Sequence, residues 1–371
     1  MKLTDRRIGG TFALAASALA VSLAVAAPAG ASLMFNLSFI SSTGTVEQAA
    51  FTQAAAAWSS VLADNVTVNL TVGTAALGAG ILASAQSATI QHSYSTYRTA
   101  LSNDATSAND AAAVASLINA SNLRLLINYT SNNPNNIPNA PLSATPYLDD
   151  TGLNTSSIRM TNALAKAVGL GITATNLGGN CSSNCDGYIA FSNSPSFSFD
   201  TDPSNGITAG QYDFVGIAIH EIGHALGFIS GVDVLDNNTT SPGFLDDQFT
   251  FVSPLDLFRC SAASAAQNAI DWTTSTTTKN FSLDNCGTTL ASFSTGSVHG
   301  DGQQASHWKD NLGLGIMDPT VAPGELLAIT PLDLAALDVI GWNLQQAIPA
   351  PASALVFVFG LAGLGMTRRR A

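Results

Sequence analysis

The sequence predicts an α+β fold: a twisted mixed sheet with packed helices in an N-terminal lobe, residues 32–230, then a loop-rich C-terminal lobe, residues 231–345. Three observations predict it. Residues 33–72 read as strand, helix and strand, which builds a sheet with a helix packed on it. A strongly apolar helical pattern at 211–226 follows a short strand pattern at 186–192. Beyond it, turn-forming residues dominate until a last, well-punctuated helix.

The elements follow in order. Residues 33–40 are apolar enough for a strand, and 46–62 carry Phe51, Ala55, Trp58 and Leu62 at helical spacing. Val66, Val68, Leu70 and Val72 alternate with polar residues, the period of a half-buried strand. Residues 75–120 are rich in Ala, Ser and Thr, with helical patterns near 97–101 and 111–118. A strand is expected at 123–129, an Asn- and Pro-rich loop at 130–146 and a helix at 158–168. Tyr188, Ile189, Ala190 and Phe191 form the next strand. The helix at 211–226 stops at Gly227. The final helix has Thr330 as N-cap, Pro331 at its first position, Asp333 in its first turn and Gly341 at its end, with Leu334, Leu337 and Ile340 as its buried stripe.

Both ends are set aside from the fold. Arg6 and Arg7 precede an apolar run, and Ala29-Gly30-Ala31 has the small residues of a cleavage site, so residues 1–31 read as a signal peptide, with a membrane anchor as the alternative. Residues 346–371 read as a sorting or membrane tail: Pro349-Ala350-Pro351, an apolar stretch at 352–366, and Arg368, Arg369 and Arg370. Six of the 13 basic residues and one of the 25 acidic residues lie in these ends, which leaves 7 against 24 between them, net −17. Such a surface disfavours nucleic acid and anionic lipid as partners, and leaves the tail as the one route to a membrane. Bound calcium is compatible with it, and Asp200 with Asp202 and Asp246 with Asp247 are the loop pairs that raise it. All four cysteines lie in the exported part, where disulfides are the default; proximity favours Cys181 with Cys185 and Cys260 with Cys286, although four cysteines allow three pairings.

The chemistry centres on His220-Glu221-Ile222-Gly223-His224. Two imidazoles at i and i+4 share one helix face and can grip one zinc ion. Glu221, one residue on, reaches the water on the metal rather than the metal and takes its proton. A catalytic zinc keeps three protein ligands and one open position. For the third ligand the residues offer His307, His299, or a carboxylate of Asp233, Asp236 or Glu325, while His92 reads as structural.

Residues 220–227 match the opening of the metzincin signature, but Ser230 stands at its third-histidine position. Ser306-His307-Trp308-Lys309 and Gly315-Ile316-Met317-Asp318-Pro319, with residues 224–228 and 330–342, resemble the leishmanolysin branch of the metzincins. In that branch a long insertion separates the second and third histidines, and here 82 residues do so. The resemblance implies a metzincin-like fold with zinc in the cleft between the lobes. His220, His224 and His307 would be its ligands, Glu221 the general base and Met317 the apolar floor. It also implies that a peptide substrate lies along an edge strand ahead of the zinc helix, for which Tyr188, Ile189, Ala190 and Phe191 are placed. The tail resembles the PEP-CTERM signals of bacterial surface and secreted proteins, which implies contact with export and sorting machinery. Ala350 departs from that motif's glutamate.

The resulting expectation is a secreted or surface-attached zinc metalloendopeptidase with one catalytic Zn2+, acting on protein or peptide substrates. With the first strand starting just after the signal and no cysteine before Cys181, activity is expected without removal of a propeptide. The competing expectations are a zinc hydrolase of a non-peptide matrix polymer and a non-enzymatic surface or biofilm protein on the same fold.

Overall fold

The computed structural model describes residues 32–131, 142–172, 177, 181–182, 184–239 and 243–345. The signal-like segment, the C-terminal tail and the middle of the loop at 130–146 lie outside the described residues. Helices and several small sheets mix in an α+β arrangement.

The largest sheet has four strands in the spatial order Met34–Phe39, Thr67–Ala75, Gly187–Ser192 and Ala83–Ser87. The first three run parallel, and the last is antiparallel to its neighbour. Thr45–Ser59 is the crossover helix between the first two strands, the connection that parallel neighbours require. Val68, Leu70 and Val72 point inward on the period of two read from the sequence.

The helix Phe214–Leu226 packs against Thr45–Ser59, and aromatic side chains lock the pair. Phe51 meets Phe191 at 5.4 Å and Phe214 at 5.1 Å between ring centroids, and Phe191 stacks on Phe214 at 3.9 Å. Trp58 Nε1 donates to the Ile219 carbonyl at 2.9 Å, and Trp342 Nε1 donates to the Leu226 carbonyl at 2.7 Å. The second bond ties the chain just past the last helix, Pro331–Ile340, to a carbonyl that Phe214–Leu226 cannot satisfy internally at its C-terminal end. Thr330, Pro331, Asp333 and Gly341 occupy the cap positions expected of them.

The structure departs from the sequence reading in several elements. Residues 158–168 are not one helix: Ser157–Thr161 is a strand, and Thr161 then caps the helix Asn162–Ala167 through the N–H of Leu164. The strand exists because Thr89–Ser93 pairs with it, which burial of Ile158 and Met160 supports. Ala83–Ser87 and Thr89–Ser93 were themselves hidden in a stretch of small polar residues with no strong alternation. The C-terminal part is also less irregular than expected. Arg259–Cys260, Lys279–Phe281 and Ala291–Phe293 form a three-stranded sheet, and Ile270–Asp271 joins a second sheet with Leu125–Ile127 and Tyr147–Asp149.

Cys181 pairs with Cys185 and Cys260 with Cys286, the pairing that proximity favoured. The second bridge closes a loop of sequence separation 26. Replacing both Cys260 and Cys286 by serine is expected to cost about 3 kcal/mol of stability on the chain-entropy estimate, read from denaturant midpoints.

A group of carboxyls lies between the helices Tyr94–Asp104, Ala108–Ser116 and Pro331–Ile340. Burial, reinforced by the charges of Asp64 and Asp110, pushes the Asp104 carboxyl up to about 6. A folded-state value above the unfolded one means that this group favours the folded state at low pH and that its contribution is lost as pH rises through about 6. Asp104→Asn is therefore expected to stabilise the protein at pH 8 by on the order of 1 kcal/mol, the full shift being discounted for solvent screening. The gain should shrink at pH 5, and equal gains at the two pH values in chemical denaturation would exclude the electrostatic cause.

Candidate metal centre

The helix Phe214–Leu226 begins where Asp213 accepts the N–H of Gly216 at 2.8 Å, and it ends at Gly227, whose φ of 121° only glycine adopts readily. His220 and His224 sit one turn apart on it, with Nε2 atoms 3.1 Å from each other. His307 arrives from a distant loop and brings its Nε2 to 3.2 Å from that of His224 and 3.3 Å from that of His220. The loop-borne imidazole thus meets the helical pair.

The Nδ1 atoms decide what the Nε2 atoms are. His220 Nδ1 faces the Ile316 carbonyl at 2.7 Å, His224 Nδ1 the Phe228 carbonyl at 2.7 Å, and His307 Nδ1 the Gln304 carbonyl at 3.2 Å. A carbonyl only accepts, so each Nδ1 carries the proton and each Nε2 presents a lone pair. The short Nε2 contacts are therefore three converging lone pairs rather than hydrogen bonds. They repel unless a cation sits among them, and the set could hold a metal ion. Burial, with the neighbouring imidazole of His220, holds His224 down to about 3, and burial also lowers His220 and His307. All three stay in the neutral form that ligates.

Glu221 is 6% exposed. Burial pushes its carboxyl up to about 8, opposed only by the backbone N–H of Ala85. It lines the same cleft as the three histidines, a space of about 660 Å³.

His307 is held through its neighbours. Its carbonyl accepts the N–H of Ser294 at 3.0 Å, Trp308 bridges to Phe293, and the Trp308 indole donates to Asp333 at 2.8 Å. The same Asp333 carboxylate accepts the N–H groups of Ile316 and Met317 at 2.9 and 3.3 Å. Met317 is buried, and its Sδ lies so close to the histidine helix that a Cβ built on Gly223 would be 2.5 Å from it.

One expectation is corrected. Tyr188, Ile189, Ala190 and Phe191 do not form an edge strand: they lie between Thr67–Ala75 and Ala83–Ser87, with main-chain pairing on both sides. Among the described residues the strand at the cleft edge is Ala83–Ser87, and Ala83, Ser84 and Ala85 line the cleft. Its alternation of Ala with Ser and Gln was the only sequence signal, and small side chains make that signal faint.

The other candidate ligands are engaged elsewhere. His299 stacks on Tyr129 at 3.8 Å, and its N–H donates to Asp236. Asp233 and Asp236 accept backbone N–H groups, Glu325 accepts the N–H of Ala322, and His92 contacts the Gly171 carbonyl. Asp200 and Asp202 close turns with Thr208 and Ser204, Asp246 accepts the Tyr147 hydroxyl, and Asp247 the N–H of Leu153.

No family model matches the chain, and neither a curated protein nor a solved structure matches it.

The contact under the helix is testable. Alanine is the better helix former by about 1 kcal/mol, yet Gly223→Ala is expected to destabilise by about 1–3 kcal/mol because its methyl meets the buried thioether. Adding Met317→Ala should recover part of that loss in a thermal-denaturation double-mutant cycle, and strict additivity would exclude the contact.

Proposed function

We propose that the protein is an exported zinc-dependent endopeptidase of metzincin type, related to the leishmanolysin branch, that hydrolyses peptide bonds in the cleft beside Glu221. The observation that carries the reading is the spacing of the three lone-pair nitrogens, 3.1 to 3.3 Å. Ligands about 2.0–2.1 Å from a tetrahedral zinc lie about 3.3–3.4 Å apart, so this donor set fits that ion. His220, His224 and His307 would hold it. Zinc bound there would supply Lewis acidity, polarising the scissile carbonyl and bringing the pKa of water toward neutrality.

The remaining chemistry belongs to the chain. Glu221 Oε takes the proton of the attacking water, and its buried carboxyl can hold that proton until the leaving amine accepts it. The free side of Ala83–Ser87 pairs with the main chain of an extended peptide, so many sequences can bind and the pocket side chains select among them. Phe197, Tyr212 and Val321 give the cleft an apolar wall. Two disulfides and the signal-like first 31 residues support export.

The test is zinc content and casein or gelatin cleavage by the purified protein. Glu221→Ala is expected to keep the metal and lose turnover by at least 100-fold, whereas His307→Ala should weaken zinc retention itself. A wild-type protein that binds no zinc, or that binds it and cleaves no member of a peptide library, overturns the reading.

A further inference from the structure

Ser230, at the position where the helix motif would continue to a third histidine, is built into the support of the histidine that replaces it. Its N–H donates to Ser306 Oγ at 2.8 Å, and the Ser306 hydroxyl donates in turn to Asp233 Oδ2. Asp233 also accepts the N–H of Ala305 at 2.5 Å and of Ser306 at 3.1 Å. The Ser230 hydroxyl donates to Asp256 at 2.5 Å, and Asp256 further accepts the N–H groups of Gly231 and Ser253 and the Trp272 indole. The helix exit thus meets the loop at 305–306 directly through Ser306, which the half-buried Asp233 holds, while the buried Asp256 fixes Ser230 from the other side.

The position of these bonds matters. Residues 305 and 306 immediately precede His307 and belong to no helix or strand, so their N–H groups have no regular backbone partner. The main-chain tethers lie on either side, with Gln303 paired to Gly296 before the segment and Ser294 on the His307 carbonyl and Trp308 on the Met317 carbonyl after it, so residues 305 and 306 rely on the Asp233 carboxylate. The contact from His307 Nδ1 to Gln304 is the longest of the three at 3.2 Å, so the ring itself is the least firmly oriented by its own carbonyl.

We infer that the Ser230–Ser306–Asp233 relay positions His307 for the ion, with Asp233 as a positioning residue. The inference rests on reading the triad as a metal centre. Ser306→Ala and Asp233→Asn are each expected to lower zinc affinity 10- to 100-fold, measured by competition with a chromogenic chelator. Both should also change the visible spectrum of the cobalt(II)-substituted protein, which reports ligand number and geometry. Ser306→Thr, which keeps the hydroxyl, should restore both readouts. Ser306→Ala carries the test where Asp233→Asn fails to fold. Melting of the metal-free proteins separates a general loss of stability from a loss of positioning. Lower melting temperatures with wild-type affinity and a wild-type cobalt spectrum overturn this inference alone, whereas a wild-type protein that binds no zinc overturns the metal-centre reading and this inference with it.

Discussion

Buried and half-buried carboxylates stand in for secondary structure in irregular segments after the histidine helix, and the candidate site depends on them. An irregular segment cannot satisfy its own backbone N–H groups, and a buried donor without a partner costs about 1–3 kcal/mol. Asp233, Asp236, Asp256 and Asp333 each accept two or more such donors. Desolvating four anions is itself unfavourable, and the hydrogen bonds offset it only because both oxygens of each are used. Arg259 and Lys279, both buried, bring positive charge into the same region; Lys279 meets Asp271 at 3.1 Å, and Arg259 donates to the Ser294 carbonyl at 2.9 Å.

This arrangement shapes the site. A helix can present two imidazoles on its own, but the third must come from chain that is irregular around it. Asp333 couples His307 to the turn beneath it, since one carboxylate holds the Trp308 indole beside His307 and the N–H groups of Ile316 and Met317. Ile316 in turn orients His220 through its carbonyl. Movement of the Met317 turn would therefore disturb two of the three imidazoles at once. Dryness around the trio keeps the imidazoles neutral, and the same dryness makes Glu221 a stronger base than an exposed glutamate.

Much of this was legible because the signals were local. The alternation at Val66–Val72 named its strand, and Thr330, Pro331 and Gly341 named the ends of the last helix because capping depends on neighbours three or four residues away. The spacing of His220 and His224 fixed one face of one helix. Ala83–Ser87 and Ser157–Thr161 were missed for the opposite reason: their side chains are small or their pattern ambiguous, and pairing with remote strands makes them strands. The mistaken edge role of Tyr188–Phe191 has the same origin, since an edge is a property of the sheet and not of the strand.

The sequence by itself determined the one-turn spacing of His220 and His224 with Glu221 between them, the pairing preference of the cysteines and an α+β class, all of which rest on spacings shorter than about one supersecondary unit. Tertiary structure alone decided that His307 meets the pair across 82 intervening residues, that Ala83–Ser87 borders the cleft, and that the N–H of Ser230 bonds Ser306 beside His307. Those outcomes depend on which distant carboxylates and strands satisfy a given N–H. Closing so long a loop is entropically costly, and the assembled buried hydrogen bonds together with the packing of Trp308, Ile316 and Met317 into the core, absent from any local stretch, offset it.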